Sequence, residues 1–165
     1  MSRSKAEKIL REIESRSAKE FLPIIGPNKG RILTEVVREN KPKTVLEVGT
    51  LIGYSAILMG KELDKEARLT TIEIHPDEAR EAEENIKKAE ISPTVNVVIG
   101  DALKILPELK ENFDLVFIDA EKNEYIRYLR HIEDKLHKGS IIVADNAGIF
   151  AEDMKVYLNY VRSSG

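Results

Sequence analysis

The chain has 165 residues, 42% of them hydrophobic and 33% charged, and a formal net charge of −3. That length suits a single domain built on one core, the balance excludes a disordered chain, and the mixed charge gives no support to a binder of duplex nucleic acid. There is no cysteine for disulfides or thiolate chemistry, no apolar run near the ~20 residues of a membrane span, and no secretory apolar core between Met1 and Glu20, so the cytoplasm is the expected location.

Ile9, Leu10 and Ile13 fall on one face of an otherwise charged segment, which predicts an amphipathic helix over residues 4–19. Phe21–Pro27 is an apolar loop punctuated by two prolines and a glycine, so residues 1–27 read as a helix and entry loop ahead of a core over 28–165. Asn28 is the expected N-cap of a helix presenting Ile32, Leu33, Val36 and Val37, closed by Asn40-Lys41-Pro42. A strand from Thr44, a glycine loop and a helix over 53–63 follow, and the unit then recurs. Strand 68–74 leads to a helix with Pro76 at its first position, Asp77 and Glu78 at the positive end of its dipole, and Ala79, Ala82, Ile86 and Ala89 as its buried stripe. Strand 94–99 precedes Gly100-Asp101 and a short helix carrying Leu103, Leu106 and Leu109. Strand 113–119 precedes a helix with Tyr125, Tyr128, Leu129, Ile132 and Leu136 on its inner face; Gly139 stops it, strand 140–145 follows, and a last helix offers Met154, Tyr157, Leu158 and Val161.

Strands alternating with helices predict an α/β fold: a doubly wound sheet of five parallel strands in the order 3-2-1-4-5, with helices on both faces. The ligand crevice of such a sheet lies at the carboxyl ends of its strands. Glu47, Glu73, Asp101, Asp119 and Asp145-Asn146 all fall there.

The loop Glu47-x-Gly49-x-x-x-Gly53 lacks the G-x-G-x-x-G spacing that sets a pyrophosphate on a helix N-terminus, and suits a ligand with a cationic or amino-acid end. Glu73 ends the next strand, where a carboxylate accepts both hydroxyls of a ribose. Asp119 with Asp145 and Asn146 gives an all-oxygen set for a hard divalent cation such as Mg²⁺, with Ca²⁺ or Mn²⁺ also suited. The alternative is that Asp119 caps the following helix and Asp145-Asn146 makes a turn. Lys122 is placed at the crevice as a candidate general base, although most surface lysines have no such role. His75 reads as a helix N-terminal residue, and His131 and His137 as surface or boundary residues.

VLEVGTLIGYS (45–55), TIEIHPD (71–77), FDLVFIDAEKNEY (113–125) and IIVADN (141–146) together resemble the cation-dependent O-methyltransferases, the group of the catechol and caffeoyl-coenzyme A enzymes and their bacterial and archaeal relatives. The resemblance implies a Rossmann-like fold, S-adenosylmethionine as methyl donor and Mg²⁺ or another hard cation. It implies that Glu47 and Gly49 lie by the methionine part, that Ser55 contacts its carboxylate, and that Glu73 holds the ribose. Asp101 and Ala102 would border the adenine, Asp119 would line the cofactor site and ligate metal with Asp145 and Asn146, and Lys122 would take the general-base position. The family habit, like the amphipathic first helix, points to a homodimer.

Ala120-Glu121 stand where the catechol enzymes carry a His-Trp pair, which makes this loop closer to the bacterial and caffeoyl-coenzyme A type. The family's sheet ends on two further strands, one antiparallel, that this sequence is not expected to supply. The expected activity is therefore metal-dependent O-methylation of a small molecule with vicinal oxygens. The alternatives are a tRNA-modifying methyltransferase of the same family, a nicotinamide-dependent oxidoreductase, or an inactive cofactor-binding domain. The absence of tryptophan and glutamine beside abundant Lys and Glu leans toward a thermophilic source.

Overall fold

A computed structural model describes residues 2–119 and 122–145. The expected last helix lies outside the described residues, as does Asn146.

Five parallel strands form one sheet in the order β3-β2-β1-β4-β5, with β1 (Thr44–Val48), β2 (Arg68–Glu73), β3 (Thr94–Ile99), β4 (Leu115–Asp119) and β5 (Ile141–Asp145). The expected topology is thus observed. β1 is central because its Val45–Val48 run is buried on both faces, as parallel strands under helices require. Alternate residues of each strand feed two cores. Leu46, Val116, Ile118 and Ile142 pack under α5 (Ala102–Ile105) and α6 (Lys122–Ile132), around Leu106, Tyr125, Leu129 and Ile132. Val45, Leu69, Leu115, Phe117 and Val143 pack under α2 (Gly26–Asn40) and α3 (Tyr54–Gly60), around Leu33, Val37, Ala56 and Met59. Each large side chain buried in this way stabilises the fold by roughly 1.5–3 kcal/mol of transfer free energy.

A third cluster joins α1 (Ser2–Ser17) to the outside of α3 and α4 (Pro76–Ala89) through Ile9, Leu10, Ile13, Tyr54, Ile57 and Ala89. The apolar stripe of α1 is therefore covered within the chain and supplies no separate argument for a dimer. Arg16 of α1 bonds Glu81 of α4 and its own neighbour Glu20, and the Tyr54 hydroxyl donates to Glu14.

Element ends shift by a few residues. Helix α2 begins at Gly26, with Pro27 in its first turn, so Asn28 lies inside the helix and is not its cap. A fixed φ and an N–H that is not needed make proline a better starter than asparagine at this point. The helix after β3 holds α geometry only to Ile105 and finishes as a 3₁₀ turn over Leu106–Glu108, where Pro107 has no N–H to continue the ladder.

Candidate active site

The carboxyl ends of the strands open into a cleft of about 840 Å³, floored by Val48, Gly49, Ile72 and Glu73 and walled on the entry-loop side by Pro23, Ile24 and Ile25. Five carboxylates line it, from Glu73, Glu78, Asp101, Asp119 and Glu124, against Lys29 and His75. The cleft thus has an excess of negative charge, and its field favours a cationic ligand over an anionic one.

The loop after β1 sets its geometry. Gly49 lies at φ +96°, and a Cβ there would come within 2.7 Å of the Asp119 carbonyl oxygen. The loop is therefore pressed onto the end of β4 as only glycine permits. It is fastened to β2 by Gly49 N–H and Thr50 N–H, which donate to the Ile72 carbonyl at 2.9 and 3.2 Å. Asn85 of α4 donates to the Ile52 carbonyl at 2.8 Å and holds the far side.

Glu73 ends β2 at the cleft floor, only 6% exposed. Its Oε2 accepts from Leu51 N–H at 2.7 Å and its Oε1 from His75 N–H at 3.1 Å. Two backbone donors hold the carboxylate in one orientation, and lone pairs on both oxygens remain for a ligand. Gly100 N–H donates to the Glu73 carbonyl at 2.9 Å, which brings the β3 end alongside. There Asp101 caps α5, accepting from Leu103 N–H at 3.0 Å, and Ala102 forms the adjoining wall.

Glu47 and Ser55 lie deeper than expected from the sequence. Glu47 is completely buried and lies behind the loop, where its carboxylate accepts from the Ser55 hydroxyl and, at 2.7 Å, from Thr71 Oγ1. Burial pushes its pKa up to about 8; the Ser55 and Thr71 hydroxyls oppose that rise, and the charges of Asp119 and Glu73 add to it. Glu78 is shifted upward as well, by burial first and then by Glu73, with His75 opposing.

Among the residues expected at the cofactor, Gly49, Glu73, Asp101, Ala102 and Asp119 line the cleft, whereas Glu47 and Ser55 form a hydrogen-bonded pair beneath it. In the β4–β5 register Asp119 stands opposite Asp145, so the two expected acidic ligands end neighbouring strands side by side. Lys122 is the first residue of α6. Sequence reasoning did not assign His75, Glu78, Lys29, Glu124, Tyr128 or the entry loop to the site. The one signal for the loop was its apolar composition between two polar helices, a pattern that also fits plain core packing.

Residues 1–156 match the family model described as O-methyltransferase. The chain is 40% identical over 126 residues to the catechol O-methyltransferase of Niastella koreensis, covering 74% of this chain and 57% of that one. It is 36% identical over 155 residues to the catechol O-methyltransferase of Mus musculus, covering 90% and 58% respectively. The chain therefore spans 57–58% of the length of these two relatives. Among solved structures, the O-methyltransferase TomG from Streptomyces achromogenes, involved in tomaymycin synthesis and determined in complex with S-adenosylmethionine, superposes with a TM-score of 0.72 at 26% identity, over 98% of this chain and 78% of that one.

Proposed function

The chain belongs to the O-methyltransferase family, and from that premise we propose that it transfers the methyl group of S-adenosylmethionine to an oxygen of a small molecule with vicinal oxygens, with a hard divalent cation such as Mg²⁺. The observation that carries this reading is that Asp119, which pairs in register with Asp145, lines the same cleft as Glu73. The carboxylate proposed to hold the ribose thus lies at the same cleft as the end of β4, with the end of β5 next to it in register.

The donor is a sulfonium cation, and the acidic lining attracts it. Glu73 would accept the ribose hydroxyls while Leu51 and His75 N–H keep its carboxylate oriented, and Asp101 and Ala102 would border the adenine. Gly49 lets the backbone close on the methionine part; Glu47 and Ser55 support the loop from below.

The acidic and amide oxygens of Asp119, Asp145 and Asn146 suit a hard cation, and the backbone register of the first two fits a shared ligand. When bound, such a cation lowers the pKa of an acceptor hydroxyl and fixes its orientation. Lys122, at the start of α6 beyond Asp119, is the group proposed to take the hydroxyl proton. The S–CH₃ bond then breaks as the O–CH₃ bond forms, in the orientation set by the two halves of the cleft.

The test is methyl transfer to a panel of catechols with and without Mg²⁺, in the natural chain and in Asp145→Ala. The variant should lose activity together with any response to the metal. Full turnover without metal in Asp145→Ala would sink the scheme.

A further inference from the structure

Glu73, His75 and Glu78 bring two carboxylates and an imidazole together at the ribose corner of the cleft, with one ligand atom from each lying within 4.8 Å of the others. A tetrahedral Zn²⁺ with ligands at 2.0–2.2 Å needs donor atoms about 3.4 Å apart, so closing the set takes side-chain movements of about an ångström. Glu73 is already held by two backbone donors and has lone pairs to spare. The His75 side chain makes no capping bond to the helix it precedes, and Glu78 is partly exposed on the first turn of that helix. Movement is therefore needed mainly from the two side chains that are freer to move.

The donor type also separates this set from Asp119, Asp145 and Asn146. Those offer oxygen only, whereas an imidazole beside two carboxylates favours a borderline first-row cation over Mg²⁺. The α4 dipole opposes a cation at its N-terminus. Asp77 and Glu78 in the first turn, with Glu73 beneath, outweigh that opposition, and the cleft adds three more carboxylates.

We propose that Glu73, His75 and Glu78 form a second metal site, for a borderline divalent cation such as Zn²⁺, and that this cation and the nucleoside exclude one another because both require the Glu73 carboxylate. The exclusion rests on the cofactor reading above; the metal site rests on the side-chain geometry alone. Such a site makes the protein sensitive to zinc in a way that extra Mg²⁺ does not relieve.

The experiment is calorimetric titration of Zn²⁺ into the protein in excess Mg²⁺, for the natural chain, His75→Asn and Glu78→Gln. The natural chain should show a site that weakens on the order of tenfold or more in His75→Asn, since even outer-shell partners of a metal cost that much. Saturating S-adenosylhomocysteine should weaken the same site in the natural chain to a similar extent. Unchanged zinc affinity in both variants overturns the metal site. A His75-dependent zinc isotherm that persists undiminished beside bound S-adenosylhomocysteine overturns the exclusion while leaving the site. Failure of S-adenosylhomocysteine to bind the zinc-free protein overturns the methyltransferase reading and the exclusion with it, and the His75-dependent isotherm still decides the metal site.

Discussion

Glu47→Gln isolates the cost of burying one carboxylate under the loop that follows β1. Glu47 is completely buried, and its pKa rises from 4.5 to about 8, chiefly through burial. A raised carboxyl pKa means that the folded state holds the proton more tightly than the unfolded chain. The contribution of Glu47 to stability is therefore greatest at low pH and falls as pH climbs from about 4.5 through about 8. Integrating at about 1.4 kcal/mol per pKa unit gives a loss of about 3 kcal/mol between pH 6 and pH 9, levelling off once the folded state has ionised. Glutamine keeps the shape and has no charge to bury. Its oxygen still accepts one hydroxyl, and the other, from Ser55 or Thr71, can rotate to accept from the amide. Urea unfolding of both proteins at pH 6 and pH 9 reads the effect, because every other titrating group is common to the two and cancels. The variant should gain about 3 kcal/mol on the natural chain across that interval. A gap that stays constant within about 1 kcal/mol would show that Glu47 is not held protonated, and the reasoning would fail.

Gly49→Ala combines a left-handed φ of +96° with a Cβ 2.7 Å from the Asp119 carbonyl, whereas Gly139→Ala has the same φ of +96° and nothing within 4 Å. The second should cost about 1–2 kcal/mol of conformational strain. The first should cost clearly more and weaken S-adenosylmethionine binding, as thermal unfolding and calorimetry would show; equal costs would refute the close approach of loop and β4. At the opposite end of the sheet, His137 Nδ1 faces the Lys138 carbonyl at 2.9 Å and Nε2 faces Asp114 at 2.7 Å. First that carbonyl and then the carboxylate raise the imidazole pKa, so the pair's contribution is complete below pH 6.5 and lost as pH rises through the folded value. At a half-exposed pair it is worth less than about 1 kcal/mol. Asp114→Asn should bring the His137 pKa down by NMR titration, and an unmoved titration would refute the pairing.

The Rossmann-like topology, the strand-end acids and the glycine loop could all be read from the chain because each is a local signal. β-branched runs set the strands, spaced apolar residues set the helices, and glycine and proline mark the turns. Burial of alternate residues on two faces then leaves few sheet orders open. Asn28 is a good cap residue by type, but Pro27, one residue earlier, fixes the helix start more strongly. What the sequence could not supply was depth. Glu47 and Glu73 look alike, each an acid near a strand end, yet one is sealed behind the loop and the other forms the cleft floor. Strand register and the fold of the loop over β4 decide which, and both depend on contacts between segments distant in sequence. The meeting of His75 and Glu78 with Glu73 is of the same kind: their order along the chain is plain, but only the turn into α4 brings the imidazole back beside the carboxylates. The sequence by itself determined the elements and the family. The tertiary structure decided which acids face a ligand, because exposure and electrostatic coupling are properties of packed surfaces and not of residues taken singly.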